Sequence, residues 1–303
     1  MKQTMHSTHL QEAIYANGYS MLIPHAKSTG FQLNATRMQA IHHKGTIAED
    51  FLVSLGFEKN QLEAEHSIFS YLLPSGTALI SQCAQEDNQH LQKVKLPPSI
   101  PLNMSLDRAL TKRRSIRHYT GDALPLDYLA TLLRLSSGIT HQADITQDDN
   151  STTTISKRSV ASAGGLYPID IYVATLNVKG LAKGIYQFNP REDKLIQLFN
   201  EKVAAETLST FSITEEQISL SRACFIIFMV GSAHKSIYKY GTNGLAFTLQ
   251  EVGSIAQTIH LSATALGICT IDCASYYRKA LHRLLKLDGL YKHVFHAIVG
   301  GIH

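Results

Sequence analysis

Hydrophobic and polar positions are patterned most regularly in the part of the chain that follows residue 103. One helix is predicted between Pro125, which suits a first helical turn, and Gly138, which suits a stop. Leu129, Leu132, Leu133 and Ser136 lie at helical spacing in this segment. A longer helix is predicted to end at Gly267, where a left-handed C-cap belongs. Its apolar stripe comprises Leu249, Val252, Ile255, Ile259, Ala263 and Leu266.

Four segments carry the pattern of β-strands. Residues 168–176 alternate as a half-buried strand, and residues 184–198 predict a hairpin. Residues 223–232 form a continuous apolar run, which is typical of a strand covered on both faces. Residues 293–301 predict another buried strand. Strands and long helices interleave along the chain, so the predicted fold class is α+β with a central sheet.

Other segments are less regular. Residues 141–159 are polar and β-branched, which predicts a mobile loop. Residues 89–103 contain three prolines and predict a linker or an extended crossing segment. The region before them indicates short helices and one strand, and no motif there carries chemistry. We therefore divide the chain into an N-terminal accessory or partner-binding region, 1–100, and a second domain, 101–303.

Composition excludes several classes of protein. The chain has 303 residues, of which 44% are hydrophobic, enough for a large core. The formal net charge is only +4, whereas a nucleic-acid-binding protein usually has a stronger or more clustered basic excess. No segment has the apolar length of a membrane span or the apolar core of a secretory signal. We expect a cytoplasmic protein that binds neither nucleic acid nor membrane.

Cysteine and histidine do not indicate a metal site. The four cysteines lack the spacing of a disulfide framework, which agrees with a reducing compartment. Cys269 and Cys273 form a C-x3-C pair with no second pair, so a zinc site is disfavoured. The fifteen histidines are better interpreted as packed or polar residues.

Three motifs are candidates for chemistry. "RRSIR", Arg113–Arg117, is either a solvated basic turn or a group of donors that grips a phosphate. "SAGGLYP", Ser162–Pro168, is either a tight turn or a backbone that approaches a flat ligand. "YKYG", Tyr238–Gly241, follows a strand as a loop and holds either an exposed lysine or a base with a lowered pKa. The dinucleotide and P-loop glycine patterns are absent, so neither a Rossmann site nor a P-loop is supported.

Taken together and in this order, the motifs resemble those of the nitroreductase-like flavoproteins. More narrowly, the chain is similar to the SagB-type or McbC-like dehydrogenases, the azoline oxidases of thiazole/oxazole-modified peptide pathways. The resemblance covers about residues 105–303 and rests on four blocks: "RRSIRHYTGDALP", "SAGGLYPIDIYVAT", "GIYQFNPREDKLIQL" and "KYGTNGLAFTLQEVGSIAQTIHLSATALGI". It implies a central, mostly antiparallel sheet flanked by helices, with FMN at a homodimer interface.

The resemblance also implies roles for individual residues. The FMN phosphate and ribityl chain would be bound by Arg113, Arg114, Ser115 and Arg117. The isoalloxazine would lie against Ser162, Gly164, Gly165 and Leu166. The backbone N–H groups that face flavin N5 would belong to the segment of Ile271, Asp272 and Cys273. The base chemistry would belong to Lys239 and Tyr240.

The chain departs from the subfamily pattern after the Lys-Tyr pair. The subfamily usually has "RgYR" where this sequence has Asn243, Gly244, Leu245 and Ala246. The missing arginine puts a peptide-binding or second phosphate contact in doubt, and the proposed base is kept.

The implied activity is FMN-dependent oxidation of thiazolines or oxazolines in a ribosomal precursor peptide. The implied partners are a second copy of the chain, the peptide and a cyclodehydratase. Two alternatives stay open. The first is an NAD(P)H-dependent nitro- or quinone reductase on the same fold. The second is a non-catalytic scaffold of a cyclodehydratase complex.

Overall fold

The computed structural model describes residues 90–146, 150 and 152–303, together with Phe51 and Leu55. All residues from 90 onward belong to one compact unit. Apart from Phe51 and Leu55, the short helices and the strand predicted before residue 90 lie outside the described residues.

The described part of the chain alternates between strands and helices. The strands are β1 Lys93–Lys95, β2 Leu124–Pro125, β3 Ile139–Thr146, β4 Thr152–Arg158, β5 Ile169–Thr175, β6 Val178–Lys179, β7 Gly184–Asn189, β8 Lys194–Phe199, β9 Phe225–Gly231, β10 Cys269–Asp272 and β11 His293–Gly301. The helices are α1 Leu106–Lys112, α2 Leu126–Ser137, α3 Glu201–Leu208, α4 Ala233–Tyr240, α5 Asn243–Leu266 and α6 Arg278–Leu284. Short 3₁₀ turns occur at Ala163–Gly165 and Leu220–Arg222.

Seven strands form the main sheet, in the order β1-β8-β7-β5-β9-β11-β10. Every neighbouring pair in this sheet is antiparallel, which confirms the predicted α+β class and the antiparallel sheet. Strand β1 pairs with β8, so the sheet includes three residues that precede position 101.

Strand β9 lies inside the sheet, between β5 and β11, and shows how each face of the sheet forms a core. All seven of its residues are buried, as its continuous apolar sequence predicts. Because side chains alternate along a strand, Ile227 and Met229 pack in the apolar cluster that contains α2 and α5. Phe228 and Val230 pack in the opposite cluster, which contains residues of α3 and α6. The sheet is therefore covered by helices on both faces.

The two predicted helices are confirmed, with one difference. Helix α2 follows Pro125 and ends at Gly138, whose N–H donates to the carbonyl of Arg134 at 2.8 Å. Helix α5 ends at Gly267, which has the left-handed φ of 73°. Leu249 was expected on the buried stripe of α5, but it is 47% exposed.

The predicted loop at 141–159 is wrong. Strands β3 and β4 form an antiparallel ribbon there, although residues 147–149 and 151 lie outside the described residues. The polarity of this segment suggested a loop. Its β-branched residues favour strands, however, because their side chains are stiff at χ1. The Thr154 hydroxyl donates to the Asp144 carboxylate across the ribbon at 2.7 Å.

Two smaller predictions also differ from the structure. Strand β5 was expected to be half-buried, but it lies between β7 and β9 and nearly all its residues are buried. "YKYG" was expected in a loop, but Tyr238 to Tyr240 form the last turn of α4, which ends at Gly241. The hairpin of β7 and β8 and the buried strand β11 are confirmed.

Candidate functional site

Lys239 and Tyr240 lie against the glycine turn of Ser162–Pro168. A Cβ atom added to Gly164 would lie 2.5 Å from the Tyr240 Oη atom and 2.9 Å from the Lys239 Nζ atom. Lys239 is 9% exposed, and its Nζ atom lies 5.5 Å from the centre of the Tyr240 ring. Two of the sequence motifs thus meet, and a side chain at residue 164 would have to displace the ends of both functional groups.

The turn itself is fixed by local hydrogen bonds. Gly164 and Gly165 have φ values of 61° and 67°, which favour glycine. The Ser162 hydroxyl accepts a hydrogen bond from the Tyr167 N–H at 2.9 Å, and the Gly165 N–H donates to the Ser162 carbonyl at 3.0 Å. Leu166 is buried at 2% exposure and anchors the turn in the core.

Close packing of α4 on α5 holds Lys239 and Tyr240 in place. Gly244 is buried at the start of α5, where a Cβ atom would overlap the backbone of Ser236 and Ile237. The Tyr240 ring meets the Phe247 ring edge-on, with centroids 5.0 Å apart. Residue 244 must therefore be glycine, because the contact between the two helices leaves no space for a side chain.

The environment of Lys239 shifts its protonation equilibrium towards the neutral amine. Burial lowers the pKa of Lys239, and repulsion by the ammonium group of Lys157 lowers it further. Burial raises the pKa of Tyr240. The site therefore combines an amine that gives up its proton more readily than a free lysine with a phenol that holds its proton more tightly than a free tyrosine.

Glu251, which the sequence analysis did not single out, lies beneath the turn. Its side chain is 3% exposed, and its carboxyl group is hydrogen-bonded to the Ser162 side chain. Burial raises its pKa to about 7, although the guanidinium of Arg158 opposes the shift. Its Oε1 atom is buried and has no hydrogen-bond partner among the described residues. The sequence signal that could have identified Glu251 is its position next to Val252, which lies on the apolar stripe of α5.

The arginine motif forms a second group of site residues. Arg113 ends α1, and Arg114, Ser115 and Arg117 are exposed. Ser115 forms an isolated bridge with Thr270 beside β10. No carboxylate of the described residues lies within ion-pair distance of these three arginines.

The segment of Ile271, Asp272 and Cys273 lies next to this motif. Ile271 and Cys273 are buried, and burial raises the pKa of the Cys273 thiol. The nearby His260 imidazole and a hydrogen bond from His296 hold the pKa of Asp272 well below its usual range. The Nε2 atoms of His260 and His296 lie 3.0 and 2.7 Å from Asp272 Oδ1. His296 was interpreted as an ordinary polar or packed residue, and the structure makes it a partner of Asp272.

These histidines do not form a metal site with Asp272. Both approach the same carboxyl oxygen, and His260 Nδ1 is 2.8 Å from Thr270 Oγ1. Across the part of the chain that the structure describes, no group of three histidine, cysteine or acidic side chains is arranged to hold a metal ion.

Helix α5 links the two groups. It carries Glu251 to the glycine turn and His260 to Asp272, and these positions are about 13 Å apart along the helix axis. Lys239, Tyr240 and Gly164 form one group, and Ser115 with the residues around Asp272 forms the other. The arginines beside Ser115 offer donors to an anion, and the glycine turn offers backbone that a flat ligand can approach.

Comparison with known proteins identifies the family. The model of the nitroreductase family matches residues 110–301, which is more than half of the chain. The chain belongs to the nitroreductase family. This is a family of flavin-dependent oxidoreductases, so the chain is assigned to that class of enzyme.

Three relatives show how far the similarity extends. A protein of Methanocaldococcus jannaschii that carries a nitroreductase assignment is 28% identical over 184 residues, which cover 61% of this chain and 85% of the relative. A structure from Ralstonia eutropha with the same assignment has a TM-score of 0.54 and 18% identity, and the match covers 72% of this chain and 92% of that one. A chain of the Escherichia coli microcin synthetase complex McbBCD, with truncated pro-MccB17 bound, has a TM-score of 0.53 and 19% identity. That match covers 81% of this chain and 98% of the other. At these identities the two structures show the fold alone.

None of the helices in the described region combines the length and the apolar composition that crossing a bilayer demands.

Proposed function

We propose that this protein is an FMN-dependent dehydrogenase that oxidises thiazolines or oxazolines of a ribosomal precursor peptide to thiazoles or oxazoles. The observation that carries the proposal is the convergence of Lys239 and Tyr240 on the turn at Gly164. Oxidation of an azoline ring must remove a proton as well as a hydride. A partly buried lysine with a lowered pKa supplies the base that this reaction needs.

The residues fit FMN at both ends. Exposed arginines without a carboxylate partner among the described residues, together with Ser115, provide donors for a phosphate. We assign this role to Arg113, Arg114, Ser115 and Arg117. The backbone at Gly164 and Gly165 leaves a space that a Cβ atom would fill, which suits a flat ring. We assign the ring contacts to Ser162, Gly164, Gly165, Leu166, Ile271, Asp272 and Cys273.

The residues of the chain perform the proton transfer. Neutral Lys239 would accept the proton from the Cα atom of the azoline ring on its Nζ atom. Tyr240 stays protonated, because burial raises its pKa, and its hydroxyl can donate a hydrogen bond to the substrate. The chemistry that bound FMN supplies is acceptance of the hydride from the neighbouring ring carbon, so that a carbon–carbon double bond forms and the ring becomes aromatic.

The peptide substrate is supported by similarity to the microcin synthetase chain. That match covers a larger share of this chain than the match to the Ralstonia structure does, 81% against 72%. We place the docking surface for the peptide or a cyclodehydratase in residues 1–100 and the flavin chemistry in residues 101–303. We also place the enzyme in the cytoplasm, where Cys224, Cys269 and Cys273, which are free thiols in the structure, would stay reduced.

The proposal includes a homodimer. Leu106 and Leu110 lie one turn apart on α1 and are 67% and 51% exposed. Leu249, which is 47% exposed, lies on α5, the helix that α1 contacts. A second copy of the chain that covered these leucines would remove apolar surface from water.

The experiment that tests the proposal is the Lys239→Ala variant, purified with FMN and given a peptide that contains one thiazoline. We expect oxidation to slow by about a hundredfold or more, because the general base is lost. The readout is the peptide mass, which falls by about 2 Da when two hydrogens are removed. Lys202→Ala, an exposed lysine on α3, is the control. Wild-type rates in a Lys239→Ala protein that binds FMN would contradict the base assignment.

A second candidate is an NAD(P)H-dependent nitro- or quinone reductase. The Methanocaldococcus jannaschii relative favours it, and so do Asn243 and Ala246, which stand where the subfamily has arginines. This reaction transfers hydride through the flavin and needs no lysine base. Fast bleaching of the flavin by NAD(P)H, with no change in azoline peptides, would identify it.

A further inference from the structure

Lys157, which lies in the segment that the sequence predicted as a loop, is close to the glycine turn. We propose that Lys157 is a positioning residue of the candidate active site, whose ammonium group holds Lys239 in the neutral form that accepts a proton. The inference rests on the proposed function, because it explains how Lys239 becomes a base.

The geometry places two lysines at consecutive glycines. A Cβ atom added to Gly165 would lie 3.0 Å from the Nζ atom of Lys157, and one added to Gly164 would lie 2.9 Å from that of Lys239. The two glycines are neighbours in the chain, so both ammonium groups face the same short turn. Their charges repel, and loss of the proton from the more buried amine relieves the repulsion.

The neighbouring residue fixes where Lys157 lies. The Arg158 N–H donates to the Tyr167 hydroxyl at 2.9 Å, and the Arg158 side chain donates to Ser137 Oγ and to the Ile169 carbonyl at 3.2 and 3.3 Å. Strand β4 is thereby tied to the turn at its last residue. Lys157 directly precedes this tie and is held beside the turn.

The Tyr240 ring, from its own helix, and the Lys157 ammonium group, from β4, both act on Lys239. The pKa of Lys239 is lowered first by burial and second by Lys157. The carboxyl group of Glu251 on α5 is hydrogen-bonded to Ser162, and it is not among the groups that shift the pKa of Lys239.

Lys157 also differs from lysines that stabilise the fold. Lys292 pairs with Asp170 at 3.2 Å, and Lys93 pairs with Glu192 at 2.9 Å. Among the residues that the structure describes, no carboxylate lies within ion-pair distance of Lys157. Its charge is therefore available to act on Lys239.

The test measures the protonation of Lys239 without using enzyme activity. The full-length protein is treated with limiting acetic anhydride between pH 6 and pH 10, and acetylation of Lys239 is quantified by peptide mass spectrometry. Only a neutral amine reacts. In Lys157→Gln we expect acetylation of Lys239 at pH 7.5 to fall about threefold, because removal of the neighbouring charge raises the pKa of Lys239.

Two variants accompany this measurement. Lys157→Arg keeps the charge, so in this variant we expect Lys239 to be acetylated at the wild-type rate. Lys179→Gln removes an exposed lysine from β6 and is expected to change nothing. Equal rates in the wild type and Lys157→Gln would overturn the proposal, as would a Lys157→Arg protein that behaves like Lys157→Gln.

The outcome is independent of the proposed function. If Lys157→Gln shows the threefold fall but the wild type does not oxidise azoline peptides, the Lys157 effect stands and the proposed reaction is wrong. If the wild type oxidises azolines but Lys157→Gln acetylates normally, the reaction stands and the role of Lys157 is wrong.

Discussion

Two groups of cationic side chains in this molecule have similar charge and opposite environments. Arg114 and Arg117 are exposed beside β10, whereas Lys239 is 9% exposed beneath a glycine turn. The exposed guanidinium groups can donate paired hydrogen bonds to an anion. Under the turn, burial and a neighbouring ammonium group lower the pKa of Lys239, so this amine loses its proton more readily and is better suited to act as a base. Burial thus separates an anion site from a proton-transfer site.

The largest expected effect is at the buried group. In Gly164→Ala the new methyl group would collide with Lys239 and Tyr240, and the φ of 61° would be strained. We expect azoline oxidation to fall by about a hundredfold, because misplaced catalytic groups lose orientation.

Gly253→Ala is the matched control, because a Cβ atom there meets nothing within 4 Å and the residue lies inside α5. The measurement is the oxidation rate together with FMN binding. A Gly164→Ala enzyme with normal turnover would show that the lysine group does not meet substrate at the turn.

The next effect concerns pH and stability at the same group. The pKa of Glu251 rises from about 4.5 in the unfolded chain to about 7 in the folded protein, so the folded state holds its proton more tightly. The stabilisation is complete below the unfolded pKa and is lost as pH rises through 7. We expect the free energy of unfolding to fall by about 2 kcal/mol between pH 5 and pH 8.

Glu251→Gln should remove most of this pH dependence, because glutamine has no proton to lose. Urea unfolding at several pH values measures it. An equally steep decline in the glutamine variant would place the titrating group elsewhere.

The smallest expected effect is at the exposed group. Arg113→Gln and Arg117→Gln should each weaken FMN binding by about tenfold, because each removes one charge that faces the phosphate. Fluorescence titration of the flavin measures the affinity, and added salt should weaken binding of the wild type more than that of the variants. Arg222→Gln, an exposed arginine in the second 3₁₀ turn, is the control. Unchanged affinity in both variants would separate the arginine motif from the cofactor.

Particular residues show why sequence predicted some elements and missed others. The stripe of α5 and the apolar run of β9 have strong periodic patterns, because each buries a face against a core formed by the whole chain. Among the ribbon residues whose burial the structure describes, Ile155 is the one buried apolar residue, so the β3–β4 sequence has little periodic signal. Glu251 was missed because its role depends on Ser162, which is distant in the chain.

The candidate site divides in the same way. "SAGGLYP" and the Lys-Tyr pair could be named from the sequence, since their residue types carry the chemistry. The contact between them could not, because it depends on how α4 packs on α5 at Gly244. Lys157 could not be found either, because the strand that carries it was expected to be a loop.

By itself the sequence determined the α+β class, the central buried strand, the two long helices and the motifs that carry charge, because these follow from local periodicity and residue chemistry. Only the tertiary structure decided that Lys239 is buried beside Gly164, that Lys157 faces the same turn and that two histidines hold Asp272. The physical reason is that a pKa depends on burial and on neighbouring charges, and both are set by contacts between residues that are far apart in the chain.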